Sequence, residues 1–421
     1  MAIKGSGSPM EAVDEYFDML IKSRFIEMFE DQNYQLIRLG DILKQNTTVT
    51  KVDCPDKETF VTLSSKGRGA KKREIKDGKT PVAFSGYRIH AGQFIYSRID
   101  ARNAAFDIVP ECLEGAVVSK DFPVFDFDTN AIEPAYLLHS VLQNSFIEQI
   151  QSSSFGATNR QRIKEETMMN YSIVLPPLSK QREYSQFVQL TIIIKKHYQQ
   201  LMDSFDILVK SRFIEMFGNL DTNPFEWETG HIADVISSVK YGTSKPATSD
   251  GKYKYIRMSN ITDDGHLDLS DLKTIDVDDS EFEKYVVRNG DVLFNRTNSG
   301  DKVGKTCVFN SNEPMIIAGY IIRVRVNERC TPGYLSAYLN SKYGKICLMR
   351  VTKDSVCQSN INAKELQSID ILIPPKEVQE EYDCFVKQVD KSKFEVVQSL
   401  LRLKSKYVRT ETPSKRTDCD L

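Results

Sequence analysis

KSRFIEMF stands at residues 22–29 and again, letter for letter, at residues 210–217, which is 210 − 22 = 188 positions later. The identity spreads outward, because EYFDMLIKSRFIEMF (15–29) and DSFDILVKSRFIEMF (203–217) agree at 11 of 15 positions. A repeat of such long period decides the architecture before any local motif is read. A second repeated element is a proline pair followed by a helix pattern. SIVLPPLSKQREYSQFV (172–188) aligns with DILIPPKEVQEEYDCFV (370–386) at an offset of 373 − 175 = 198. The chain therefore holds two copies of one unit. Each runs from a KSRFIEMF helix through a mixed region to a strand, Pro-Pro and a new helix.

The new helices carry an apolar period of seven. Phe187, Ile194, Leu201 and Leu208 form one stripe, and Tyr382, Val389, Val396 and Leu403 form the other. Such spacing predicts a seam that needs a second helix. Residues 181–217 contain neither Pro nor Gly, enough for a helix of about 55 Å at about 1.5 Å per residue. The expected fold class is α+β. Two similar mixed α/β domains are separated by two long antiparallel coiled-coil helices, with a pseudo-twofold repeat.

The expected division is a leader or expression remnant (1–9), an N-terminal helix (10–29), a first domain (30–178), a central spacer helix (179–217), a second domain (218–376), a C-terminal spacer helix (377–410) and a tail (411–421). KSRFIEMF is expected to close each helix against a domain, through Phe25, Ile26 and Phe29 in one copy and Phe213, Ile214 and Phe217 in the other.

Composition narrows the function. With 40% hydrophobic and 10% aromatic residues, 421 residues can bury real cores, and the formal charge of −2 is nearly balanced. A polyanion partner would have to meet locally clustered Lys and Arg. The eight cysteines (54, 112, 307, 330, 347, 357, 384 and 419) make no CxxC pair and no ligand spacing with the five histidines. This pattern predicts reduced thiols, a cytoplasmic location and no metal site. No apolar run approaches a membrane span of about 20 residues.

Two motifs carry less than they promise. SGDKVGKT (299–306) spaces its glycines one residue too closely for a phosphate-binding loop, so a hairpin is the stronger reading. KGRGAKKRE (66–74) has Gly-x-Gly but no third glycine, which leaves a basic surface loop. The acidic stretch 263–283 is expected to be a solvated face turned away from any polyanion. No metal-binding His pair, nucleophile elbow or Asn-Pro-Pro-aromatic signature is present, so intrinsic catalysis has no foothold.

Within the mixed regions, WETGHIADVISSVKYGTSKP (227–246) reads as a short helix and a Gly-containing loop, KYIRMSNI (254–261) as a strand, and VRNGDVLFNRTNSGDKVGKTCVF (287–309) as strand, polar loop, strand. The first region has its own version in RIHAGQFIYSRIDARNAAFDIV (88–109). The pattern Trp … Ile-x-Asp … Gly-Thr … Arg-Met-Ser-Asn-Ile … Gly-Asp-Val-Leu-Phe … Gly-Lys, ending in strand, Pro-Pro and long helix, resembles the DNA-specificity (S) subunit of type I restriction-modification systems. The resemblance covers about 400 residues and is close in the second half. The first half departs from it, since LIRLGDIL (36–43) supplies an opening helix without Trp and RIHAGQFIYSRID (88–100) replaces the usual hairpin.

The resemblance implies a chain that is not itself an enzyme. Each domain would read one half of a bipartite double-stranded DNA target, while the helices set the spacing and dock two methylation subunits that methylate adenine. Restriction subunits would join for cleavage. S-adenosylmethionine, ATP and Mg are expected only in the partner subunits. The alternative is a two-headed protein-interaction adaptor, whose binding would not weaken steeply with salt as DNA binding does.

Base edges are read by Arg, Asn and Gln, whereas Lys and Arg on phosphate give affinity without sequence information. The DNA-binding candidates in the first domain are Lys66, Arg68, Lys71, Lys72, Arg73, Arg98 and Arg102, with Thr158, Asn159, Arg160 and Arg162 of the loop FGATNRQR. In the second they are Lys240, Tyr241, Thr243, Ser244, Lys245, Arg257, Asn260, Arg296, Asn298 and Lys302, with Ser355, Gln358, Ser359 and Asn360 of the loop DSVCQSN. The two loops align at offset 198, where the frame is repeated and the letters are not.

Overall fold

A computed structural model of the chain describes residues 9–30, 32–75, 82–152, 162–298, 304–351 and 359–407. It divides into two compact units, residues 17–196 and residues 1–16 with 197–421.

In the first unit, strand Gln35–Arg38 pairs antiparallel with Ser172–Leu175, so the segments that open and close the mixed region lie side by side. The main sheet has the order Leu43–Asn46, Val124–Phe127, Phe94–Tyr96, Phe106–Ile108. The second unit repeats this plan. Glu228–His231 pairs with Asp370–Ile373, and the sheet order is Ile236–Tyr241, Ile321–Val326, Val292–Asn295, Thr306–Val308. The opening segments are less helical than their sequence reads. LIRLGDIL has a strand to Arg38 and a short helix, Leu39–Ile42, and WETGHIADV has a strand and a 3-10 turn, Ile232–Val235. Pairing with each unit's last strand overrides local helix preference. Thr306 opens a strand antiparallel to Val292–Asn295. The Gly-Lys-Thr of SGDKVGKT thus heads a strand, not the helix that a phosphate loop requires.

The KSRFIEMF copies build the same aromatic cluster twice. Phe25 and Phe29 meet Tyr136 and Tyr184 with ring centres 4.9–5.7 Å apart. Phe213 and Phe217 meet Tyr334 and Tyr382 at 4.7–5.8 Å. Mixed edge-on and stacked geometry is what ring quadrupoles favour. The tyrosine hydroxyls are not stranded, since Tyr136 donates to the Val174 carbonyl at 2.5 Å and Tyr334 to that of Leu372 at 2.8 Å. Ile26 is half-buried and Ile214 is 61% exposed, so the phenylalanines alone carry the equivalent packing.

A second repeated device follows each proline pair. Gln181 donates to the Pro176 carbonyl at 2.9 Å and accepts the Glu133 amide at 2.9 Å. Gln379 does the same with Pro374 at 2.8 Å and Thr331 at 2.8 Å. Each buried amide thus fixes where a long helix leaves its domain.

The central helix, Leu178–Phe217, runs antiparallel to the N-terminal helix, Pro9–Phe29, within the first unit, through Arg24–Glu183 at 3.1 Å and Lys195–Asp18 at 3.6 Å. In the second unit it runs antiparallel to the C-terminal helix, Lys376–Tyr407, through Arg212–Glu381 at 2.9 Å and an ion pair of Lys393 with Asp206. The seam of seven is present but lies on another face of the central helix. Tyr184, Thr191 and Tyr198 are buried, as are Gln181, Val188 and Met202. Phe187 is half-buried, and Ile194, Leu201 and Leu208 are 52%, 41% and 46% exposed. On the C-terminal helix Tyr382 and Val389 are buried and Val396 is half-buried, whereas the Leu403 side chain lies outside the described residues. Among the described residues no helix is long and apolar enough to cross a membrane.

One charged contact joins the second domain to its C-terminal helix. His266 lies 3.3 Å from Asp264 and 3.7 Å from Asp390. The neighbouring carboxylates, Asp264 first and then Asp390, raise its pKa from 6.5 to about 10. A raised folded-state value means that the contribution is complete below pH 6.5 and is lost as pH rises through about 10. Solvent screening of this half-exposed ring limits it to about 1 kcal/mol. Urea melts of the wild type and His266→Asn should therefore differ more at pH 7 than at pH 10.5; an equal difference at both would remove the histidine's charge from the account.

Candidate nucleic-acid interface

The second domain opens a cleft of about 700 Å³ beside the end of strand Ile236–Tyr241. Gly242 lets the chain cross tightly there, for a Cβ on it would lie 2.2 Å from the Ile317 oxygen and 2.3 Å from that of Ala318. The crossing is held by the Thr243 amide on Ile317 O at 2.9 Å and the Gly319 amide on Thr243 O at 2.7 Å. Thr243, Ser244, Lys245, Arg257, Arg296 and Asn360, all candidates from the sequence, line this one cleft. Met258 and Tyr320 line it as well, with large exposed side chains. Sequence reading missed both, because an apolar residue after a strand reads as core.

The cleft's cations are held by local partners. Lys245 pairs with Glu281 at 2.5 Å, and Arg257 reaches the Asp271 carboxylate at 2.8 Å and its carbonyl at 3.0 Å. The hydrogen bond to Glu281 raises the Lys245 pKa, and its counterpart lowers that of Glu281. The acidic stretch is therefore not turned away, since its carboxylates sit on the cleft's own cations. Arg296 is held differently, its guanidinium carbon 4.9 Å from the Tyr241 ring centre.

Other candidates lie apart from the cleft lining. Asn260 is 2% exposed, with its side chain committed to the backbone of Arg257, Asp268 and Asp271 at 2.8, 2.9 and 3.2 Å. It organises a turn and offers a base nothing. Lys240 is exposed on its strand. Asn298 and Ser359 face each other in a two-residue ladder that also pairs Thr297 with Asn360. Lys302, Ser355 and Gln358 lie outside the described residues.

In the first domain, Lys66, Arg68, Lys71, Lys72 and Arg73 are exposed on and just beyond one hairpin, Val61–Ser64 with Gly69–Lys72. Lys66 adopts φ 60° at its turn, where its amide donates to Asn103 O at 2.6 Å. Arg102 lies in the adjoining 3-10 turn, Ala101–Asn103, and its carbonyl accepts from Gln151 at 3.2 Å. Arg162 pairs with Asp121 at 3.2 Å. Arg98 forms an ion pair with Glu165, which also accepts from Gln45 at 3.1 Å. Burial is the largest influence on the Arg98 charge and works against it, but the Glu165 hydrogen bond and the nearby negative groups together raise its pKa. Thr158, Asn159 and Arg160 lie outside the described residues.

Two like domains, each with polar and basic side chains on a repeated frame, are thus joined to long helices. Comparison with known proteins shows what the chain is similar to. The type I restriction modification DNA specificity domain matches residues 224–402. The type I restriction enzyme EcoKI specificity subunit of Escherichia coli K12 is 22% identical over 273 residues, covering 60% of this chain and 58% of that protein. The putative MjaX specificity subunit of Methanocaldococcus jannaschii is 27% identical over 162 residues, 38% of each chain. The match thus spans less than two thirds of these relatives' length. A structure described as the basis of complex assembly and conformational transition of the type I R-M system shares the fold. Its TM-score is 0.53 at 20% identity, covering 90% of this chain and 95% of that one. Residues 224–402 thus match the type I restriction modification DNA specificity domain, and the chain shares the fold of a solved type I R-M structure.

Proposed function

We propose that this chain is the sequence-reading subunit of a type I restriction-modification enzyme. Each domain reads one half of a split double-stranded DNA target, and the helices set the spacing and dock two methylation subunits that methylate adenine. Restriction subunits join for cleavage. The chain itself is non-catalytic, acts in the cytoplasm, and leaves S-adenosylmethionine, ATP and Mg to its partners.

The observation that carries this reading is a constant frame with changing surface letters. The ring clusters and glutamine clamps recur residue for residue, while the exposed side chains around them do not. Partner docking is supported by apolar side chains left in water on the central helix: Leu190, Ile192, Ile193 and Ile194 in the first unit, and Leu201, Ile207 and Leu208 in the second. Large exposed apolar patches mark interaction surfaces. The paired cations of the cleft fit an exchange in which phosphates displace Asp271 and Glu281.

Mapping methylated adenines in cells with and without this chain, and with residues 218–376 exchanged for the matching segment of a relative, tests the proposal. One half of the methylated motif should change and the other persist, and DNA affinity should fall steeply with salt. Methylation that ignores the exchange, or binding indifferent to salt, would sink it.

A further inference from the structure

Arg98 and Arg296 are 296 − 98 = 198 positions apart, and they occupy the same station in their units. The Arg98 amide donates to Asp121 O at 2.9 Å and that of Arg296 to Tyr320 O at 3.0 Å. Their carbonyls accept from Ile163 and Ile361, each at 2.9 Å. The side chains then part company. Arg98 meets Glu165, and the residue 198 positions after Glu165 is Ala363. The second unit has thus exchanged the neutralising carboxylate for a methyl group.

Arg296 instead lies over the Tyr241 ring, and its Nε donates to Ile361 O at 3.4 Å. No carboxylate among the described residues pairs with it. Tyr241 is itself fixed, its hydroxyl accepting the Ala363 amide at 2.7 Å. The same alanine that removes the carboxylate anchors the stacking ring.

We propose that Arg296 is the specificity-determining residue of the second domain and reads a guanine, that Tyr241 is its positioning residue, and that Arg98 is a structural ion pair which reads no base. This rests on the DNA-reading function proposed above. A guanidinium with one face on a ring and Nε on a carbonyl keeps two terminal nitrogens as a fork. Such a fork matches the O6 and N7 acceptors that guanine presents in the major groove, and no other base offers that pair. The stack also costs less rotamer freedom on binding than a loose side chain would. Arg98 would first have to leave the Glu165 carboxylate without its counter-charge, and that penalty opposes its use as a reader.

The test is the methylation motif written in cells by the full assembly carrying the wild-type chain, Arg296→Ala, Arg296→Lys, Tyr241→Phe, Tyr241→Leu or Arg98→Ala. Both Arg296 variants should relax one guanine position, with discrimination there falling roughly tenfold or more, while the other half-site stays intact. Arg296→Lys keeps the charge and guards against a folding defect. Tyr241→Phe keeps the ring but loses its hold on the Ala363 amide, so it should relax that guanine position less than Tyr241→Leu, which should relax it as Arg296→Ala does. Arg98→Ala should leave the motif unchanged.

An unchanged motif with Arg296→Lys overturns the assignment. So does an even loss at all sites in Arg296→Ala with a salt slope shallower by about one, which is the signature of a phosphate contact. Relaxation of a base by Arg98→Ala overturns the asymmetry. A wild-type assembly that writes no split motif overturns the DNA-reading proposal itself.

Discussion

Phe217→Ala should destabilise the second unit by about 3–5 kcal/mol, the range for truncating a buried phenylalanine. Phe217 is 1% exposed and closes a ring cluster, 5.0 Å from Phe213, 4.7 Å from Tyr334 and 5.4 Å from Tyr382. Those rings belong to three helices: the central one, Pro332–Asn340 and the C-terminal one. A cavity there cannot collapse easily, because Tyr334 is tied to Leu372 O at 2.8 Å. Ile214→Ala, three residues away on the same helix but exposed, should stay within about 0.5 kcal/mol. Trp227, the only tryptophan, lies in this unit, 5.5 Å from the Phe225 ring. Its fluorescence in urea reports the difference directly. Equal effects of the two variants would mean that the duplicated motif is not a packing joint. Phe29→Ala is the matching experiment in the first unit, followed by circular dichroism.

That contrast shows what the repeated letters disclose. Identity at both copies of KSRFIEMF marked a joint, and the phenylalanines close it. The antiparallel pair of Val292–Asn295 with Thr306–Val308 was equally legible as strand, polar loop, strand, whereas the Asn-Gly-Asp before it joins strands of two different sheets and makes no hairpin. The face of the central helix was not. A period of seven gives spacing without phase, and this helix carries two apolar stripes. The phase is set by Tyr184, which aligns with Tyr382 at offset 198, and by Gln181 and Thr191, polar residues that an apolar search passes over.

The cleft was half legible. Residue type found Arg296 and Lys245, but not that Asp271 and Glu281 fold back onto the cleft's cations. Asn260 shows the opposite error, since an asparagine in a loop can serve its own backbone as readily as an adenine. Both cases turn on how the chain folds back onto itself, across 36 residues for Lys245 and within 11 for Asn260, which composition and spacing do not encode.

The second large effect belongs to the most constrained point of the cleft. Gly242→Ala would set a methyl group against two carbonyl oxygens at 2.2 and 2.3 Å, and both are backbone atoms that cannot swing away. The strand end must withdraw, and three hydrogen bonds go with it: Gly242 N to Ile321 O at 3.1 Å, Thr243 N to Ile317 O at 2.9 Å and Gly319 N to Thr243 O at 2.7 Å. Overpacking and lost backbone pairing together should cost about 3 kcal/mol, read by Trp227 fluorescence. Because Thr243, Gly319 and Tyr320 all line the cleft, the variant should also lose the half-site assigned to this domain. Ser244→Ala, exposed and next in the cleft but outside those bonds, should keep the stability. A Gly242→Ala protein with wild-type stability would show that the crossing can relax. In that case the Gly-Thr pair would owe its place to something other than this close backbone approach.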